Sequence, residues 1–443
     1  MENDTFNDTR VSRAYIRLSL PLVLSMVVTL IYNLADTFFV ARTNDTNIVA
    51  GVSLGMPLFT MLMAVGNIFG QGGASLISRM LGSGDREGVR RASSFCFYMT
   101  IALGVVIGAL MLLFRRPMLA LIGANEDSFY HASSYYTYLA LGAPAVMLSF
   151  IHSNLLRAQG MSKESMAGTV LGALVNIVLD PIFISGLGWG AAGAAIATVI
   201  GYLVSDIFFA VIVVKRSGIL SLAVRELRVP ASSIGQILGI GVPAAIVNLM
   251  QSLSVVLVNQ FLLPYGNDKI AAMGIVMKVS MIALLLLTGL AFGGQPLFGY
   301  YYGAGDRERL SRLFRFCLLF ISAVALVLTA AIYLAAPLLI RCFMDNPGIV
   351  SDGTVMLRWQ VISMVFVGLV LLMTIIVQST GKVIGSFVLS ISRQGLIFLA
   401  VLVLAYHSAG YMGIVASQAI ADTVTAFIAL LLFYKQLYGE FKG

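Results

Sequence analysis

Gly82-Ser83-Gly84-Asp85-Arg86-Glu87, followed by Arg91, Phe95 and Cys96, is the stretch that decides the fold, because it is written twice. The second copy is Gly303-Ala304-Gly305-Asp306-Arg307-Glu308, followed by Arg312, Phe316 and Cys317. Eight of the fifteen positions in 82–96 recur in 303–317 at a constant offset of 221. The chain has 443 residues, so the offset is half its length, and the whole protein reads as a duplication rather than a chain carrying a local motif. Other landmarks repeat with it. Pro21 pairs with Pro243, Gly160 with Gly381, and Gly190 and Gly193 with Gly410 and Gly413.

What is duplicated is membrane-embedded. The chain is 59% hydrophobic and 11% charged, against about 25% charged for a soluble domain. Apolar runs such as 279–292, 361–377 and 397–406 are too frequent for one soluble core. A crossing helix needs roughly 20 mostly apolar residues, and backbone in lipid must satisfy its own hydrogen bonds, so helices are expected. The reading is an all-α polytopic membrane protein with twelve transmembrane helices in two six-helix bundles related by a pseudo-twofold axis. The first six spans are expected near 14–40, 48–79, 92–114, 130–156, 165–185 and 190–214. The second six fall near 232–263, 270–302, 313–340, 355–378, 384–406 and 411–434. A first lobe of residues 1–215 and a second of 232–443 are then joined by a polar, basic linker at 216–231, and residues 1–12 form a short polar tail. The first apolar run is too long for a cleavable signal peptide.

The net charge of +8 comes from bases scattered singly between apolar runs, which fits topology better than nucleic-acid binding. The tails and even-numbered loops hold twenty Lys and Arg; the opposite loops hold Arg42, Arg115, Arg116, Lys269, Arg341 and Arg358. Both termini are therefore expected in the cytoplasm, with the chain crossing the cell membrane many times. Because each half has an even number of spans, the lobes insert the same way up, with a substrate path expected between them. Cys96, Cys317 and Cys342 show no ligand or disulfide spacing. No Gly-rich, Lys-terminated phosphate loop is present, so ATP is not the expected energy source.

Charges inside spans are costly and are functional candidates by default. The first half holds Asp36, Asp180 and Asp206 in its spans and no deep base; the second holds Lys278, Arg393 and Asp422. Asn176 lies four residues before Asp180, on the same helix face. Pro181 follows, disfavouring helical geometry at Asp180 and freeing the carbonyl of Ile177. An acid, an amide and a freed carbonyl offer oxygens to a small hard cation; the alternative is a kink in which Asp180 caps neighbouring backbone. Asn33 and Asp36 also share a face, and both acids fall late in their spans, so they could line one chamber or, for Asp36, reach the interface near Arg42. Close to another carboxylate, either could carry a proton. Asp206 reads equally as structural or functional, and Lys278, Arg393 and Asp422 either form an ion pair with a spare base or bind substrate. His152, beside Asn154, reads as structural. The 21 Met suit packing or an adaptable cavity, and Tyr135, Tyr136 and Tyr138 read as interfacial or cavity-lining.

Ile31-Tyr32-Asn33-Leu34-Ala35-Asp36-Thr37-Phe38-Phe39-Val40, the twin Gly-x-Gly-Asp loops, Asn154-Leu155-Leu156-Arg157-Ala158-Gln159-Gly160 and Asn176-Ile177-Val178-Leu179-Asp180-Pro181 together resemble the multidrug and toxic compound extrusion (MATE) family, over almost the whole chain. The resemblance implies two bundles forming a V that alternates between outward- and inward-open states. In such transporters inward movement of Na⁺ or H⁺ drives export of amphipathic, mostly cationic compounds. The family's first-lobe cation site maps onto Asp36, Asn176, Asp180 and Thr198, which would be the Na⁺ ligands if sodium is the coupling ion. Asn33, Tyr138, Asn154, Lys278, Arg393 and Asp422 are candidates for the substrate cavity. No cofactor is expected beyond the coupling ion, the partners are the bilayer and small amphipathic substrates rather than nucleic acid, and a monomer is the expected working unit. One departure stands out: some branches carry an acid in span 7, where this chain has Asn248, Gln251 and Asn259. Three other readings compete. A flippase for lipid-linked sugars would use Lys278 and Arg393 for phosphate. A lipid-acting enzyme lacks a clustered nucleophile, and a channel lacks a charged ring or filter.

Overall fold

In the computed structural model of the chain, which describes residues 3–441, helices are the only regular structure among those residues. The outermost residues of the two tails, 1–2 and 442–443, lie outside the described residues. Among the described residues, nine helical runs are long and apolar enough to cross a membrane, and up to eleven if each of two bent pairs counts as one span. The bent pairs are Glu126–Leu141 with Ala143–Ala158, at 53°, and Pro347–Ile362 with Met364–Ser379, at 41°. They fall where spans 4 and 10 are expected. Their breaks at Gly142 and Ser363 are themselves 221 residues apart, so the bend was duplicated with the sequence. The last run, Val383–Gln436, covers both expected spans 11 and 12 and is interrupted at Gly410, whose φ of 55° and ψ of −127° are not helical.

The repeated loop explains itself at atomic level. Gly84 and Gly305 take φ of 77° and 69°, where a side chain would be strained. Each lets the next residue, Asp85 or Asp306, turn back and bond its N–H to Met80 O (2.9 Å) or Tyr301 O (3.0 Å). Each aspartate then caps the following helix, accepting from Gly88 N at 2.8 Å and Arg309 N at 3.0 Å. One turn on, Glu87 pairs with Arg91 and Glu308 with Arg312. The conserved-by-repeat letters are thus a helix stop, a cap and an i,i+4 pair.

The chain divides into two compact units whose limits differ from the expected lobes: one spans residues 24–242, the other residues 3–23 with 243–443. In the first unit, residues 231–242 pack back onto Thr46–Gly82. A Cβ on Gly72 would lie 2.1 Å from Ile237 O, and one on Gly241 would lie 1.9 Å from Ile68 O, so both glycines are required for that approach. Arg79 reaches Gln236 at 2.9 Å. In the second unit, residues 3–23 do the same against Asn267–Gly293. A Cβ on Gly293 would lie 2.3 Å from Ser19, and the buried Tyr15 donates to Leu290 O at 2.7 Å. Gly72 and Gly293 are again 221 apart. Both divided helices, Val11–Ala41 and Ala231–Leu262, carry a proline at the changeover, Pro21 and Pro243, where one backbone hydrogen bond is missing.

The expected linker is not loose. Ser94 and Tyr98 donate to Ala223 O (2.7 Å) and Leu222 O (2.9 Å), Arg90 meets Glu226 at 3.3 Å, and Ile219 and Leu220 join the first unit's core. Hydrogen bonds to its carbonyls, one ion pair and two buried apolar side chains together hold this nominally basic stretch down.

Candidate functional site

In the first unit, Ser162–Asp180 runs into a π-helical turn at Pro181–Gly186. Proline has no N–H to donate, so the helical register opens there; the Leu187 N–H reaches back five residues to Ile182 O at 2.7 Å. Such turns are frequent at functional sites because they redirect a side chain without ending the helix. Here the turn leaves Asp180 with no exposed surface. No backbone N–H among the described residues bonds its carboxylate, so the capping alternative does not hold. Its partner is Asn176, whose Nδ2 donates to Asp180 Oδ1 at 3.3 Å and to Thr198 Oγ1 at 3.4 Å. Both bonds are long for amides. Thr198 comes from Gly190–Ile212, and both it and Asn176 are buried.

Asp36 faces this cluster from Val11–Ala41, and its charge acts directly on Asp180. Asn176, Asp180, Thr198 and Asp36 are therefore brought to one place. Three tyrosines close the site. Tyr32 lies beside Thr198 and Asp36, and Tyr135 lies within the field of Asp36, Asp180 and Tyr202. Of these, Tyr32 and Tyr202 were not singled out in the sequence, although each stands four residues from a site residue on the same helix face (Tyr32 from Asp36, Tyr202 from Thr198).

What defines the site chemically is a set of oxygens without donors. Asp36 Oδ1, Asn176 Oδ1 and Asp180 Oδ2 are all buried and have no hydrogen-bond partner among the described residues. Buried polar atoms are nearly always paired, and leaving a carboxylate unpaired out of water is costly. Two carboxylates, an amide oxygen and a hydroxyl suit a small hard cation or a proton. Among the described residues no cluster of three His, Cys, Asp or Glu exists that would hold a transition metal.

Other candidates fall elsewhere. Tyr138 is 40% exposed, and it is Tyr135 that joins the acids. Tyr136 donates to Met111 O at 2.8 Å, a packing role. Asn154 is held by Phe150 O at 2.6 Å and by Arg157. Asn33 is half-buried, and among the described residues its side chain makes no hydrogen bond to the acids; its carbonyl accepts from Thr37. His152 faces Asp206 at 3.7 Å, both buried, with the imidazole against Phe97 and Phe209, a cross-helix pair that spacing along one helix does not reveal.

The second unit is built differently. Arg393, on the π-helical turn Ser392–Leu396, meets Asp422 through Nε at 3.0 Å. Gln418 donates to the same Asp422 oxygen at 3.0 Å, and Ser363 to the other at 3.0 Å. Asp422 is thus fully satisfied. Lys278 has no ion-pair partner among the described residues and lines a cavity with Arg393 and Asp422.

The sequence profile of the MatE family matches residues 21–182 and 243–406, one match in each half. The multidrug export protein MepA of Staphylococcus aureus (strain NCTC 8325) is 30% identical over 429 residues, covering 97% of this chain and 95% of that protein. MepA of Staphylococcus haemolyticus (strain JCSC1435) is 29% identical over 429 residues, covering 97% and 94%. Among solved structures, an outward-facing conformation of a multidrug resistance MATE family transporter of the MOP superfamily matches with a TM-score of 0.92 at 26% identity, over 99% of this chain and 98% of that one.

Proposed function

We propose that this chain, which belongs to the MatE family, exports amphipathic, mostly cationic drugs or toxic compounds in exchange for Na⁺ or H⁺ entering through the first unit. It is a multi-pass membrane transporter and not an enzyme. We read the break at Gly410 as dividing the last helical run, which gives twelve spans in two groups of six, with both termini on the cytoplasmic side of the cell membrane.

The observation that carries the reading is the trio of donor-less oxygens on Asp36, Asn176 and Asp180. With the first unit open outward, the entering ion is taken by Asp36, Asn176, Asp180 and Thr198. Neutralising the two carboxylates removes the penalty for shutting them away from water, so the loaded site can close and substrate is released outside. Opening inward lets the ion leave, restores the charges and readies the transporter for the next substrate. A charge buried without a partner resists closure, and this links ion occupancy to alternating access.

Purified protein in liposomes, loaded with a fluorescent cationic dye, tests this with Na⁺ and pH gradients imposed separately. The intact chain should expel dye under one gradient, and Asp36→Asn and Asp180→Asn should each abolish that efflux while remaining folded in detergent. Full gradient-driven efflux by both variants overturns the site. Movement of a labelled lipid-linked sugar without any cation gradient, and no dye efflux, would instead favour a flippase.

A further inference from the structure

The second unit holds a cavity of about 270 Å³ that the proposed ion path does not use. Its apolar wall includes Val258, Met277, Met281 and Leu284. Its polar wall is cationic. Lys278 lies eleven residues into Asn267–Gly293, roughly 17 Å along that helix at 1.5 Å per residue. It is exposed on the cavity wall and no carboxylate among the described residues meets it. The only acid lining the cavity, Asp422, already accepts from Arg393, Gln418 and Ser363. Arg393 uses Nε for that bond, leaving its Nη groups without a partner among the described residues. Ser280, 7% exposed, also lines the cavity, and its hydroxyl has no partner among the described residues.

The local charges leave one positive charge uncompensated, beside free donors on Lys278, Arg393 and Ser280 and facing an apolar wall. An unpaired ammonium inside a span is expensive, and a guanidinium fork beside it suits a carboxylate or phosphate oxygen pair. We infer that this cavity is a binding site for an amphipathic monoanion, whose carboxylate or phosphate group sits against Lys278 and Arg393 while its apolar body lies along the methionine-rich wall. Methionine side chains adapt to differently shaped apolar bodies, so shape selectivity is expected to be low. The site is independent of the ion path, and binding to it needs no gradient, so it can fail without the transport reading failing.

The test uses the full chain in nanodiscs of phosphatidylcholine, with labelled decanoate as probe and empty nanodiscs as background. Decanoate should bind the intact protein, and decyltrimethylammonium should not compete. Lys278→Gln should weaken binding about tenfold, as expected for loss of a charge-assisted hydrogen bond, and Lys278→Arg should restore most of it. Unchanged elution and thermal midpoint of both variants establish that they are folded. Adding phosphatidylglycerol to the nanodiscs separates the sources: if it displaces decanoate from the intact protein, a lipid headgroup occupies the site, and if it does not, a dissolved anion does. The inference is overturned if decanoate does not bind, if Lys278→Gln binds it equally well, or if decyltrimethylammonium competes.

Discussion

The two units share a turn down to its hydrogen bonds and yet leave opposite charges unsatisfied. In the first, Asp36 and Asp180 hold buried oxygens with no donor. In the second, Asp422 accepts three bonds and the group left over is Lys278. Duplication preserved the parts that fold the chain: the Gly84 and Gly305 turns, the Asp85 and Asp306 caps, and the Gly72 and Gly293 close approaches. The interior polar groups diverged. A π-helical turn sits beside one charged group of each unit, after Asp180 and at Arg393, whereas Asp36 and Lys278 stand on regular helix.

If that contrast is right, substitutions of the acids in the two units should behave differently, and the largest effect belongs to the satisfied one. Asp422→Ala leaves the part-buried Arg393 without its partner, a loss of up to about 3 kcal/mol; purified protein in detergent should unfold at a clearly lower temperature, and an unchanged midpoint would break the contrast. Next come the duplicated close approaches. Gly72→Val and Gly293→Val each force a side chain into an opposing segment and should cost about 1–3 kcal/mol. Similar falls in midpoint for the two would show that both units rely on the same packing, whereas tolerance of either would show that the repeat has drifted there. Gly84→Ala and Gly305→Ala meet open space, so only the left-handed backbone resists them, at about 1–2 kcal/mol each. The smallest change should come from Asp180→Asn. It replaces a carboxylate holding a buried, donor-less oxygen with a neutral amide, so stability should rise slightly, by about 1 kcal/mol, while ion-driven efflux disappears.

Much of this was legible from spacing alone. The 221-residue offset located both caps, and Asp180-Pro181 announced a helix that could not continue regularly. Asn176 and Asp180 meet because four residues make one turn, a relation any reader of the sequence can use. What spacing along one helix cannot tell is which other helix stands opposite. His152 and Asp206 come from different spans, and Tyr135 rather than Tyr138 faces the acids because of the rotation of its helix. The same limit hid the allegiance of residues 3–23 and 231–242. Residues 1–12 read as a polar tail, and only the glycines opposite the two segments, Gly293 and Gly72, mark where they dock.

That exchange of opening segments bears on the protein's ancestry. A half-length progenitor would have carried one such strap and one such glycine, and two copies lending straps to each other, the swap by which identical protomers pair at low cost, would give the pairing now found in one chain. Joining the two genes then demanded only a tether. Residues 215–230, stitched down by Ser94, Tyr98 and Arg90, are that tether.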